Sequence, residues 1–128
     1  MSQLKHATAA AAVGELSCPE PDTVQRQYCF GTAFIGFQGH FPGAPILPAL
    51  VQILAGVTLA EAWRGQPLNL AAIDNAKFLL PVYPERLLQV ECRERRKDDH
   101  PVCEVRITLD GKLASSFVLR WTEGTPAP

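Results

Sequence analysis

"GHFPGAPILPALVQILAGVTLAEAW", from Gly39 to Trp63, is the stretch on which the fold turns. Gly39, Pro42, Gly43 and Pro45 break the chain into a tight loop that carries His40. The pattern then changes. Pro48 suits the first turn of a helix, where its missing N–H is no loss. A helix from Leu47 or Pro48 to Arg64 makes about five turns, roughly 25 Å at 1.5 Å per residue. Its apolar residues, Leu50, Val51, Ile53, Leu54, Val57, Leu59 and Trp63, point to every side. A helix apolar all round is expected to be buried all round. Gly65 ends it. A histidine loop thus runs straight into a core helix that holds no carboxylate before Glu61.

The flanks read as strands. Upstream, Thr23 to Phe30 is an expected strand with Val24, Arg26, Tyr28 and Phe30 on one face, and Ala33 to Phe37 is expected to continue extended. Residues 1–22 carry little pattern, and Pro19 to Asp22 mark a loop. Downstream, Leu70 to Leu80 is stopped by Pro81 and Pro84. Arg86 to Arg96 alternates, with Leu88, Val90 and Cys92 inward. After a turn at Asp98 to Pro101, Cys103, Val105, Ile107 and Leu109 point inward. Asp110-Gly111 is a hairpin signal, and Leu113, Ser115, Phe117, Leu119 and Trp121 form the inner face of the last strand. Parity constrains that hairpin. A plain two-residue loop pairs Leu109 with Lys112 and Ile107 with Ala114, which turns Leu113 and Phe117 outward. An odd-length loop or a bulge beside the turn restores the match. Residues 123–128 read as a frayed tail. The whole is one α+β domain over residues 1–128, an antiparallel sheet wrapped around one long central helix. One sheet around one helix leaves an open seam, so a dimer is expected.

Composition excludes several function classes. Apolar residues make up 47% of the 128, an ordinary globular share. Twelve basic and thirteen acidic residues give a net charge of −1, so neither nucleic acid nor an acidic disordered tail is indicated. Arg93 to Lys97 is a short basic run, read as a solvated hairpin end, with a docking patch for an acidic partner as the other reading. Cys18, Cys29, Cys92 and Cys103 form no C-x-x-C pair, and no histidine stands at zinc spacing from them. They read as reduced, buried thiols of a cytoplasmic protein. No metal and no cofactor are expected. The short apolar run Ala7 to Val13 is a poor export signal, and Leu47 to Trp63, interrupted by polar residues, falls short of a membrane span.

Phe37 to Ile53, "FQGHFPGAPILPALVQI", resembles the signature G-H-F-P-G-x-P-[apolar]-x-P-G-V-L of the 3-hydroxyacyl-acyl-carrier-protein dehydratases of the hot-dog fold. "IDNAKFLLPVYPERLLQVE", Ile73 to Glu91, is similar to that family's strand, proline turn and next strand. "DGKLASS", Asp110 to Ser116, is similar to its last hairpin. The resemblance covers about residues 26–121. It implies a hot-dog homodimer with two sites at the subunit interface, acting on acyl carrier protein or coenzyme A thioesters. It makes His40 the catalytic histidine, facing an acid on the partner's central helix. That acid belongs fourteen residues after the histidine, and this chain has Leu54 there. Ala49 stands where the family has glycine, a position that offers a backbone N–H to the thioester carbonyl. Gly43, Ala49 and Leu54 are therefore the expected substrate-binding residues.

Dehydration takes a proton from C2 and hydroxide from C3 of a 3-hydroxyacyl thioester. A near-neutral imidazole suits the first task, and a helix N-terminus stabilises the enolate. Hydroxide needs an acid, and leucine is none. Glu61 lies two turns beyond Leu54, about 10 Å along the axis, and reads as a charge near the helix end, paired with Arg64. Asp74 and Asn75 read as a structural polar pair. Thr58 and Gln52 can hold a water but are not acids. His6 and His100 read as surface residues. Three functions follow. The first is a dehydratase-like hydro-lyase of fatty-acid or polyketide-type biosynthesis, impaired by the lost acid. The second is a thioester hydrolase with His40 assisting water. The third is a non-catalytic or half-site partner of an acid-bearing paralogue.

Overall fold

A computed structural model describes residues 2–37 and 45–122. His40, Gly43 and the tail 123–128 lie outside the described residues. The elements run α1 (Ser2–Ala10), β1 (Ala12–Glu20), β2 (Thr23–Cys29), α2 (Ala49–Arg64), β3 (Leu70–Phe78), β4 (Leu87–Lys97), β5 (His100–Leu109) and β6 (Lys112–Trp121). One six-stranded sheet has the order β1-β2-β4-β5-β6-β3, antiparallel at every pairing. It packs around α2, giving the α+β hot-dog arrangement expected from the sequence.

The core forms where alternation puts apolar side chains on the inner face. Val24, Tyr28, Leu88, Val90, Cys92, Val105, Ile107, Phe117 and Leu119 are buried against Val51, Ala55, Leu59 and Ala60 of α2. Gly56 sets how closely the helix approaches. A Cβ there would lie 3.0 Å from the Phe117 ring and from both methyls of Val105. Glycine leaves that space to the sheet.

The β5–β6 hairpin solves the parity conflict by the second of the two expected routes. Asp110 (φ 51°) and Gly111 (φ 77°) form a two-residue turn in the left-handed region. Leu109 pairs with Lys112 and Thr108 with Leu113, but Ile107 pairs with Ser115. Ala114 is thus the extra residue of a bulge, which returns Ser115, Phe117, Leu119 and Trp121 to the core. Leu113 precedes the bulge, opposite Thr108, and is only half-buried, not part of the inner row. The preceding turn is shorter than expected. Asp98 (φ 52°) and Asp99 (φ 64°) make it alone, and His100 and Pro101 already pair in β5.

Other expectations are corrected. Residues 2–20, in which no pattern is legible, form α1 and the edge strand β1. Only one side of that strand is paired and most of its side chains face solvent, so alternation leaves no trace in the sequence. Ala33 to Phe37 is not extended. Ile35–Phe37 is a 3-10 turn, folded so that Phe34 meets Phe30 edge-on at 4.8 Å and Phe37 at 5.8 Å. Cys18 is exposed on β1 and Cys29 half-buried, so only Cys92 and Cys103 are the buried thiols expected. The hydrogen bond with Cys103, and then burial, push the Cys92 thiol up. The basic run is threaded with carboxylates: Arg93 pairs with Glu20 at 3.5 Å and Arg95 with Glu104 at 2.9 Å. No helix among the described residues is long and apolar enough to cross a membrane.

Candidate active site

The helix begins at Ala49, two residues after the earliest expected start at Leu47 and one after Pro48. Pro48, extended at φ −63° and ψ 153°, is its N-cap and supplies no side-chain cap. Val51 and Gln52 N–H both donate to the Pro48 carbonyl, at 3.1 and 3.2 Å. Ahead of them, Ala49 and Leu50 belong to the first turn, whose N–H groups have no intrahelical acceptor. Both residues are exposed, Leu50 at 44%. This end of α2 is therefore not buried, against the expectation that the helix is covered all round. It offers two donors and the positive end of the helix dipole at the surface.

The chain entering the helix is held from both sides. Leu47 is buried; its N–H donates to Val82 O at 2.8 Å, and its carbonyl accepts from Gln52 Nε2 at 3.3 Å. On the far side of the His40 loop, Phe37 is buried in the aromatic cluster.

Leu54 lies one turn beyond Leu50 and is 6% exposed. Nothing on its side chain can donate a proton. The other carboxylates near α2 are already engaged. Glu61 pairs not with Arg64, as the helical spacing suggested, but with Lys5 of α1. Its carboxylate accepts from Lys5 Nζ at 2.9 Å and from Leu68 N–H at 2.8 Å, with the side chain 15% exposed. Arg64 stacks instead over the Trp121 ring, 5.1 Å from its centre, and lies 3.6 Å from Glu94. Asp74 accepts from Arg120 Nε at 2.6 Å. Asn75, beside it, has φ 52° in a β3 irregularity that shifts the register between Asp74 and Lys77. Asp74 and Asn75 are thus structural.

Two buried polar groups occupy the rest of the helix. Thr58 donates to Ala55 O at 3.1 Å, which leaves the Tyr28 hydroxyl to donate to Thr58 Oγ1 at 2.9 Å. Burial pushes the Tyr28 phenol up, partly offset by that hydrogen bond. Gln52 is buried with its Oε1 unpartnered. Lys5 and Tyr28 are the residues that sequence reading left without a role. Their partners lie 56 and 30 residues away, beyond any local pattern. Among the described residues, no three His, Cys, Asp or Glu side chains converge as a metal site requires.

Known proteins place this geometry. Solved structures share the fold. The chain superposes with a TM-score of 0.76 on the dehydratase heterocomplex ApeI:P from Xenorhabdus doucetiae, at 22% identity over 88% of this chain and 96% of that one. On the E. coli PaaI protein of the phenylacetic acid degradation operon the TM-score is 0.69, at 13% identity over 96% and 92%. In sequence, the chain is 43% identical over 70 residues to a 3-hydroxyacyl-[acyl-carrier-protein] dehydratase FabZ of Erythrobacter litoralis, covering 48% of this chain and 46% of that protein. It is 33% identical over 96 residues to the FabZ of Streptococcus pyogenes, covering 69% of each. The chain spans about half the length of several of the curated relatives it matches, 46%, 42% and 60% for three of them. Residues 17–117 match the family described as ApeI dehydratase, and the chain belongs to this ApeI-like family of dehydratases.

Proposed function

We propose that this chain is a 3-hydroxyacyl-acyl-carrier-protein dehydratase-like hydro-lyase of fatty-acid or polyketide-type biosynthesis. It works in the cytoplasm as a dimer on a thioester of acyl carrier protein or coenzyme A. The observation that carries this is the family match over residues 17–117, which takes in His40, all of α2, β5 and the β5–β6 turn. His40 takes the C2 proton. The Ala49 and Leu50 N–H groups hold the thioester oxygen as negative charge builds on it. Gly43 lets the loop approach the substrate, and Leu54 lines its chain. Release of hydroxide from C3 is the weak step, because Leu54 stands in the acid's place and Glu61 and Asp74 are held elsewhere. The dimer is supported by the unpaired side of edge strand β3 and by apolar side chains left exposed near it. Leu70, Ile73, Phe78 and Leu79, on β3 or directly after it, all face solvent in the single chain.

A second reading has its own support. A site with histidine but no acid is complete if the partner subunit is a paralogue that brings one. The ApeI:P structure is itself a heterocomplex. The test is turnover of one 3-hydroxyacyl carrier-protein thioester, followed by mass spectrometry, for the wild type, Leu54→Glu and His40→Ala. Slow dehydration by the homodimer, raised by Leu54→Glu and abolished by His40→Ala, supports the first reading. Dehydration only after mixing with an acid-bearing paralogue supports the second. Release of free acid instead of enoyl product makes the chain a thioester hydrolase. Wild-type turnover that survives His40→Ala removes the site from this motif altogether.

A further inference from the structure

Gln52 is only 4% exposed, and it stands on the face of α2 that packs against the sheet. It lies one turn before Gly56, which rests on Phe117 and Val105. Most of the side chains packed there are apolar. Its Oε1 has no partner, and a buried amide oxygen left unpaired weakens a fold. Leucine or methionine would fill the same space without that cost, so packing does not account for a glutamine here. The other half of the amide does have a partner. Nε2 donates to the carbonyl of Leu47, the last residue before the helix cap. Leu47 is thereby fastened to Val82, in the segment between β3 and β4, through its N–H and to α2 through its carbonyl.

We infer that Gln52 is a positioning residue for the helix N-terminus: its amide fixes Leu47, and with it the aim of the Ala49 and Leu50 N–H groups. This rests on the reading of that end as the thioester site. Gln52 itself touches no substrate. It points to the sheet, while Leu54, two residues on, is turned by about 160° to the other side of the helix. Its influence is therefore on orientation. An oxyanion donor displaced by a fraction of an ångström costs rate while the acyl chain still binds.

The test compares wild type and Gln52→Leu, with Gln52→Met in its place if Gln52→Leu does not fold. Amide hydrogen exchange is read at Leu47, Val51 and residue 52, and kcat and KM are measured on a 3-hydroxyacyl carrier-protein thioester. Exchange at these amides is expected to quicken about tenfold, the worth of one neutral hydrogen bond. kcat should fall about tenfold, KM should stay within twofold, and the thermal midpoint should be unchanged or higher. A merely structural glutamine would lower the midpoint and leave the ratio of kcat to KM alone. Unchanged exchange overturns the tie to Leu47. Faster exchange with unchanged kcat overturns the positioning role. If the wild type neither binds nor turns over the thioester, the functional reading has failed, and the exchange result alone decides whether Gln52 holds this junction.

Discussion

The two ends of α2 are finished in opposite ways. At the C-terminal end both charged residues, Glu61 and Arg64, are engaged. Gly65 caps the helix at φ 73° with its N–H on Glu61 O; Glu61 ties α1 and the following loop; Arg64 lies on Trp121. At the N-terminal end the cap is a proline with no side-chain bond, the first two residues are exposed, and Leu54, one turn further in, carries no proton donor. The difference lies in what each end leaves exposed: the first-turn N–H groups of Ala49 and Leu50 lack intrahelical acceptors, while the charges at the other end are engaged. The carboxylate nearest to serving as an acid, Glu61, belongs to the closed end.

The largest expected effect would break or establish this division outright. His40→Ala should lower dehydration by about 10²–10⁴-fold, the usual worth of one general acid–base group. If the open end lacks only an acid, Leu54→Glu should raise the wild-type rate by part of the same factor. Recovery is partial because a site shaped around leucine offers a carboxylate no orienting partners. If Leu54→Glu instead lowers activity and stability together, a buried unpaired charge is being paid for and the acid already exists elsewhere.

Glu61→Ala tests the closed end. It removes the acceptor of two hydrogen bonds and the partner of Lys5, and should cost about 1–3 kcal/mol of stability. Turnover by the folded protein should stay within twofold of wild type. A loss of activity of 10²-fold without a change in thermal midpoint would make Glu61 the acid and erase the distinction between the ends.

How much of this was legible beforehand follows how local each feature is. The helix, the four strands after it, and the bulged hairpin were readable because alternation and turn residues are local. Parity required either an odd-length loop or a bulge there, and the structure takes the bulge, at Ala114. The open end was not readable in that way, because an all-round apolar helix is expected to be covered all round, whereas Ala49 and Leu50 are exposed. Nor was the closed end. Helical spacing suggested Arg64 for Glu61, but the side chain that reaches it comes from α1, whose sequence shows no amphipathic pattern and whose contact spans 56 residues. Tertiary placement decided between two cations, and periodicity says nothing of that. Edge strand β1 was lost for a related reason: with one sheet neighbour and mostly exposed side chains, its residues need not alternate.

The smallest effect lies midway along α2, where the helix carries a polar pair that belongs to neither end. Tyr28→Phe removes the hydroxyl that donates to Thr58 Oγ1, while Thr58 keeps its own bond to Ala55 O. The cost should be about 1 kcal/mol, a drop of about 3–5 °C in the thermal midpoint for a domain of this size. Activity should not change. The wild type should also lose stability at alkaline pH, and the sign follows from the direction of the shifts. Burial raises the Tyr28 phenol, and the bond to Cys103 together with burial raises the Cys92 thiol. The folded chain therefore holds protons that the unfolded chain releases from about pH 8.5 for a thiol and about pH 10 for a phenol. Stability from these groups is complete below those values and declines as pH rises through and beyond them. Tyr28→Phe should flatten the decline above about pH 10 and leave the earlier part, due to Cys92, in place. Denaturant midpoints measured from pH 8 to 11 for both proteins check this. Identical curves would mean that solvent reaches the phenol, and that the middle of the helix is less closed than either of its ends suggests.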